Sequence, residues 1–524
     1  MEPSGCCAII PAPAMWSVTA GASSPLQAAA GTASSAARMA STSPGLMAGT
    51  LNTANLPGDR LLRAVPSRRL PSTLQGNRPF PRGVECPFDT VRRSLPVPDI
   101  RDLAERLWNG ELSTAELHPV AWRQPEGQEI ADGVLFYKGI ASANTIDTGD
   151  GLVMLDTGAV NDTRPLYEEV RRWRPEAPLR AAVFSHHHVD HIFGVGPFEQ
   201  EAAERRWPRP LVYGHELLEW HFARYQRTLG WNTAINRRQF AIDAPQFRWP
   251  EQYRLPDVTY TRRLTFRSGE LTFELHHTRG ETEDATWTWV PERKLLAPGD
   301  LFIWAVPNAG NPQKVQRYCS EWAAGLREMA ALGAELLLPG HGLPIFGAER
   351  IRQALLDTAE LLESIEAQVL ALMNTGCTLD RILHEVEVPA HLLEKPYLRP
   401  VYDDPQFLVR NVWRLYGGWY DGEPDNLLPA PRAEQAREWV ALAGGIDRVL
   451  ERAAALRAEG NLRLACHLVE FAVIAEPGSR AAHDLRAEIY AARAALEPSS
   501  MARNILNHAA LASRQGKRDL AGGF

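Results

Sequence analysis

The sequence predicts an α/β chain: an αββα sandwich followed by an all-α domain of helical repeats. Three observations carry this. Short apolar β runs alternate with amphipathic helical stretches from about residue 130 to about 350, the pattern of two sheets inside and helices outside. Beyond about residue 376 the chain turns wholly helical, with apolar stripes broken by Gly- and Pro-containing turns. Within the first of these regions, four histidines crowd into six positions, 186 to 191, in a chain with 15 histidines among 524 residues.

Taken in order, residues 1–95 read as a leader-like or disordered segment. They are rich in Ala, Ser, Thr, Gly and Pro, and no acidic residue lies between Glu2 and Asp59. Arg38, Arg60, Arg63, Arg68 and Arg69 give a weak basic bias, without the charged start and apolar core of a secretory signal. A helix is predicted near Pro98, where Ile100, Leu103, Ala104 and Leu107 recur at helical spacing. Val134–Tyr137 and Leu152–Leu155 bracket the Gly-rich turn Asp147–Gly151 and read as a hairpin. The second run ends at Asp156, a strand-end acid. A helix from Pro165 to Trp173 precedes the apolar run Ala181–Phe184. Leu211–Tyr213, Leu271–Leu275, Trp287–Val290 and Leu295–Ala297 continue as strands, and Ser320–Leu332 and Ala348–Leu372 as helices. The expected domains are 96–375 and 376–524. In the second, turns at Gly444–Gly445, Gly460–Asn461 and Pro477–Gly478 separate antiparallel helices rather like tetratricopeptide repeats.

Composition excludes several classes. The net charge of −7 gives no nucleic-acid footprint. No run of about eighteen apolar residues marks a membrane span, so no membrane partner is expected and the chain is read as cytoplasmic. Six cysteines without a spacing framework read as free thiols (Cys86, Cys319, Cys377, Cys466), with Cys6 and Cys7 in the leader-like segment.

The chemistry centres on Ser185-His186-His187-His188-Val189-Asp190-His191. On an extended backbone His186, His188 and Asp190 point to one side and His191 to the other. Imidazole and carboxylate suit zinc, and this arrangement suits two adjacent ions better than one.

HxHxDH after a short strand resembles the signature of the metallo-β-lactamase fold. The resemblance demands further ligands at downstream strand ends, and Glu281, Asp300 and His341 stand there. In the general pattern a third His lies nineteen positions before a Gly-Asp aspartate. Here Glu281 holds that place before Asp300, with Glu283 and Asp284 as neighbouring rivals. Glutamate at this position resembles the alkylsulfatase branch. That resemblance implies one zinc ion held by His186, His188 and Glu281, and another by Asp190, His191 and His341. Asp300 and a hydroxide would bridge the two, and Asp190 and Asp300 are read as the catalytic carboxylates.

Thr233–Arg238 resembles the segment lining the sulfate pocket of that branch, which makes Asn236, Arg237 and Arg238 the candidate binders of a small anionic ester. Leu415–Gly422 and the stretch up to Asn504 look like the alkylsulfatase dimerisation domain, implying a homodimer. Two departures are expected to matter. No sterol-carrier-like C-terminal domain is anticipated, and Ile303–Pro312 replaces a histidine-rich segment, with Asn308, Asn311 and Lys314 as polar contacts. Trp220, Trp231, Trp287 and Trp304 are weighed as apolar walls against core residues.

The resemblance therefore implies a binuclear zinc hydrolase cleaving alkyl sulfate or related anionic esters. The alternative is another hydrolase of the same fold, a lactonase, thioesterase or β-lactamase-like enzyme. An iron oxidoreductase is disfavoured because His188 stands where the flavodiiron-type pattern HxExDH has glutamate. A non-catalytic scaffold is disfavoured by the complete ligand set.

Overall fold

The computed structural model describes residues 97–521. The leader-like segment and Cys86 lie outside the described residues. Helix α1 (Ile100–Trp108) is capped by Asp99, whose side chain accepts from the Asp102 amide, and it buries the four residues whose spacing predicts it.

One sheet has seven strands in sequential order: β1 (Gln124–Ala131), β2 (Val134–Lys138), β3 (Ser142–Asp147), β4 (Leu152–Leu155), β5 (Leu179–Val183), β6 (Leu211–His215) and β7 (Val258–Tyr260). β1 to β4 pair antiparallel through tight turns. From β4 onward the pairing is parallel, which needs crossovers. Helices α2 (Thr163–Trp173) and α3 (Gly196–Arg205) supply the first two, and α4 (Leu217–Arg227) with α5 (Leu229–Gln239) the third.

The second sheet has six strands: β8 (Arg263–Ser268), β9 (Leu271–His277), β10 (Thr286–Val290), β11 (Leu295–Ile303), β12 (Leu336–His341) and β13 (Ile345–Phe346), running in space from β13 to β8. α6 (Cys319–Ala330) joins the parallel pair β11 and β12, and α7 (Ala348–Asn374) follows β13.

Alternation along β4 shows how the layers are held. Val153 and Leu155 enter a core shared with Phe273, Leu275 and Trp287 of the second sheet, while Leu152 and Met154 pack outward with Leu166, Val170 and Phe198 of α2 and α3. The two-sheet sandwich with outer helices is the predicted class.

Three expectations change, and one segment with no predicted element gains one. The turn Asp147–Gly151 joins β3 to β4, so Val134–Tyr137 and Leu152–Leu155 do not pair with each other; β3 lies between them. The His-rich motif does not continue β5 as an extended strand: Ser185–His187 bend away from it. β11 runs through Asp300 to Ile303, so Asp300 lies inside a strand rather than at its end. Thr233–Arg238 is part of helix α5.

Beyond α7 come α8 (Leu379–Glu385), α9 (Ala390–Leu393), α10 (Pro405–Gly417), α11 (Arg432–Leu442), α12 (Ile446–Ala458), α13 (Leu462–Ala475), α14 (Arg480–Leu496) and α15 (Ser500–Arg514). The three Gly- and Pro-containing turns separate α11 to α14 as the sequence predicts. Leu379, Ile382, Leu408, Val412 and Trp413 belong to the same core as Leu355 and Leu362 of α7 and Trp322 of α6. The core therefore runs across the expected boundary at 375/376. Trp287 and Trp304 are core residues, whereas Trp220 and Trp231 are exposed. Cys319, Cys377 and Cys466 are free thiols. Among the described residues, no helix is long and apolar enough to cross a membrane.

Candidate metal centre

The seven expected side chains gather at one end of the sandwich. They form two groups whose ligand atoms lie within 4.8 Å of one another: His186, His188, Glu281 and Asp300, and Asp190, His191 and His341. Asp300 faces both. Its Oδ2 lies 3.8 Å from His186 Nε2 and 3.4 Å from His341 Nε2, and its Oδ1 lies 3.5 Å from His191 Nε2. Four imidazoles and three carboxylates, the donor types that hold divalent cations, thus converge on one place.

Three of the four imidazoles are aimed by a fixed acceptor behind them. His191 Nδ1 donates to Asp156 Oδ2 at 2.7 Å. Ser185 donates its amide to Asp156 Oδ1 at 2.7 Å and its hydroxyl to Asp156 Oδ2 at 2.8 Å. With that hydroxyl proton committed, His186 Nδ1 donates to Ser185 Oγ at 2.9 Å. His341 Nδ1 donates to the Ile140 carbonyl at 2.9 Å. All three rings thus present Nε2 to the cluster, the arrangement that orients metal-binding histidines. His186 Nε2 and His188 Nδ1 face each other at 2.8 Å. Asp156 adopts a left-handed backbone (φ 56°), uncommon for a non-glycine residue and held here by its three hydrogen bonds.

Two glycines make the approach possible. A Cβ on Gly299, itself at φ +55°, would lie 2.7 Å from the Ser185 Cβ, and one on Gly340 would lie 2.0 Å from Asp300 Oδ1. The Gly-Asp and Gly-His dipeptides are therefore steric requirements of the ligands beside them.

Glu281 is held from behind. Asn308 Nδ2 donates to its Oε1, as does Arg317 Nη1 at 2.7 Å, leaving Oε2 buried without a partner. Arg317 Nη1 also donates to the Asn308 carbonyl at 2.7 Å. Asp403, ahead of α10, accepts from the amides of Gly310 (2.7 Å) and Asn311 (3.2 Å) and so grips the loop that carries Asn308.

The electrostatics reflect a crowd of ligands. Burial pushes Glu281 up to about 8 despite Arg317. Burial and the neighbouring His191 push His186 down to about 4. Burial also opposes the charged forms of His341 and His191, but the carboxylates outweigh it, Asp300 foremost; His341 rises to about 9 and His191 well above its usual range. Asp190 and Asp300 are held low against their own burial, chiefly by His191 and His341 respectively.

The expected anion binders divide. Arg238 Nε donates to Asp519 Oδ2 at 2.7 Å, so its charge is committed to the C-terminal region. Asn236 is buried, donating to the Asn232 carbonyl at 2.8 Å and accepting from Lys314 Nζ at 3.2 Å. Arg237 is half-buried, and its Nε lacks a partner among the described residues. Asn311 is buried in the loop that Asp403 grips. Sequence reasoning left Arg317, Asp403 and Ile140 unassigned, because each acts through contacts between distant segments.

A model of the metallo-beta-lactamase superfamily matches residues 137–341, and one of the alkyl sulfatase dimerisation region matches 378–516. The chain is 27% identical over 364 residues to a linear primary-alkylsulfatase of a Pseudomonas species, covering 66% of this chain and 69% of that protein. It is 28% identical over 474 residues to an (R)-specific secondary-alkylsulfatase of Pseudomonas, covering 83% and 70%. The solved stereoselective inverting sec-alkylsulfatase Pisa1 from Pseudomonas superposes with a TM-score of 0.68 at 24% identity; the match covers 75% of this chain and 66% of that one.

Proposed function

The chain is a metallo-β-lactamase-fold enzyme joined to an alkylsulfatase dimerisation domain, and from that premise we propose that it hydrolyses alkyl sulfates or related anionic esters at two zinc ions. The observation that carries this reading is Asp300, whose two oxygens face both histidine groups.

The donor set fits a metal pair. His191 Nε2, Glu281 Oε2 and Asp300 Oδ1 are buried without hydrogen-bond partners among the described residues, and imidazole with carboxylate is the donor chemistry of zinc. His186, His188 and Glu281 would hold one ion and Asp190, His191 and His341 the other, with Asp300 between them. Ions bound there would lower the pKa of a shared water and offset negative charge on the attacked ester. The protein's part is orientation. Asp156, Ser185 and the Ile140 carbonyl fix three imidazoles, and Arg317 with Asn308 fixes Glu281. Arg317 also offsets part of the charge that Glu281 adds, which matters where a glutamate stands in for a neutral histidine. Asn236 and Arg237 are assigned to the anionic end of the substrate; Arg238, tied to Asp519, is not.

The helical region is assigned to homodimer formation. Trp419, Leu428, Trp439 and Leu442 are large apolar side chains left exposed there.

The test pairs metal analysis with a substrate panel of alkyl sulfates, phosphate esters, lactones and thioesters. Two zinc per chain and chelator-sensitive turnover of an alkyl sulfate are expected. A metal-replete enzyme inert to sulfate esters and active on a lactone or thioester would replace this reading with the other hydrolase class.

A further inference from the structure

Three buried side chains beside the metal centre take no part in it: His187, His221 and Asp284. Their ligand atoms lie within 4.8 Å of one another, close enough to suggest a third cation. The hydrogen bonds favour a different use. Arg224 Nη2 donates to His187 Nε2 at 3.2 Å. The one proton of a neutral ring then sits on Nδ1, where it donates to Asp284 Oδ1 at 2.9 Å. Both nitrogens of His187 are engaged, and the ring lies flat against His221 at 3.9 Å between centroids. What results is a relay from a buried acid, through the middle histidine of the metal motif, to a guanidinium.

That guanidinium is poorly satisfied. Arg224 is half-buried, its Nε is buried without a partner, and it forms no ion pair with a described carboxylate. It lies 5.0 Å from the centre of the Tyr225 ring, which meets Trp249 edge-on at 5.3 Å between centroids. On Trp249, in turn, stands Lys314 Nζ, 5.3 Å from the ring centre. Lys314 likewise forms no ion pair with a described carboxylate, and its ammonium donates to Asn236 Oδ1. Two cations therefore flank one aromatic pair beside the metal motif, neither in direct ion-pair contact with a described carboxylate. Unpaired partly buried charge is costly, and an oxyanion between them removes that cost while accepting the free N–H groups.

We propose that Arg224 and Lys314 receive the sulfo oxygens of the substrate, with His187 and Asp284 as positioning residues that aim Arg224. This rests on the sulfate-ester reading above and extends the anion pocket from Asn236 and Arg237 of α5 to α4 and the loop after β11. A planar, always-charged guanidinium held from behind is suited to a tetrahedral oxyanion.

The experiment uses the full-length, zinc-loaded chain and its Arg224→Gln, Arg224→Lys, Asp284→Asn and His221→Ala variants. It measures kcat and KM for an alkyl sulfate, inhibition by inorganic sulfate, calorimetric binding of inorganic sulfate, and zinc per chain. Arg224→Gln is expected to weaken sulfate binding and raise KM roughly ten- to a hundredfold, as for loss of a charge-assisted hydrogen bond, with zinc content unchanged. Arg224→Lys should recover part of this, and Asp284→Asn should shift KM in the same direction by less. Sulfate binding within twofold of the parent in Arg224→Gln overturns the proposal, as does a third zinc that disappears in His221→Ala. A parent chain inert to sulfate esters overturns the ester reading alone. Calorimetry with inorganic sulfate then decides the pocket, supporting it if Arg224→Gln weakens binding and refuting it otherwise.

Discussion

At the scale of single residues, the metal centre depends on groups that never touch a ligand's reactive atom. Asp156 shows this best. Its carboxylate fixes His191 and, through Ser185, His186. Asp156→Asn keeps the shape but gives His191 a competing donor or a weaker acceptor, and it is expected to lower zinc affinity roughly ten- to a hundredfold, read by competition with a chromogenic chelator. Lys314 carries a pH prediction. Burial pushes its ammonium down to about 7, Arg317 and Arg224 add to this, and Asp190 and Glu281 oppose it. Above that pH the lysine is neutral and attracts a sulfo group less, so KM for an alkyl sulfate should climb as pH rises through 7. Lys314→Arg, charged throughout, should flatten the climb in a pH–KM profile. The gathering of these side chains was legible, because Glu281, Asp300 and His341 follow apolar runs at spacings that a fold resemblance can check. The relay through His187 was not, since the sequence cannot show that Arg224 lies behind that ring, nor that Asp519 engages Arg238.

At the scale of elements, the predicted runs that became strands are apolar and β-branched or aromatic, as in Trp287–Val290. Of the strands the sequence does not predict, two are polar: β1 reads Gln-Pro-Glu-Gly-Gln-Glu-Ile-Ala, and β3 contains Ser, Asn, Thr and Asp. Their pairing is decided by neighbours in the sheet, which local propensity does not encode. Helices α4 and α5 were missed for a related reason: α5 has little amphipathic contrast, and its Asn232 and Asn236 are buried by tertiary contacts. In the helical region one ion pair joins three helices. Arg486 of α14 meets Glu470 of α13 (Nε to Oε1, 2.6 Å), and its Nη1 donates to the Ala509 carbonyl of α15 at 2.8 Å. Both side chains are buried. Glu470→Ala leaves the guanidinium unpaired and should destabilise the chain by about 3–5 kcal/mol, measured by denaturant unfolding.

At the scale of the whole molecule, the proposed dimer makes a direct demand on surface chemistry. Leu428 and Leu442 are 92% and 78% exposed in the single chain. Replacing both with Asp should convert a two-chain species into a one-chain species by sedimentation, with zinc content retained; an unchanged mass would place the interface elsewhere. The continuity of the core has a different consequence. Leu379, Leu408 and Trp413 insert among side chains of α6 and α7, and Asp403 holds the loop that steadies Glu281. The two regions that separate family models delineate therefore cannot be traded between relatives like cassettes. A chimera joined near Thr375 would bring a foreign surface against an orphaned greasy face and slacken a carboxylate some ninety positions upstream, so breeders of new sulfatases should place their crossovers elsewhere.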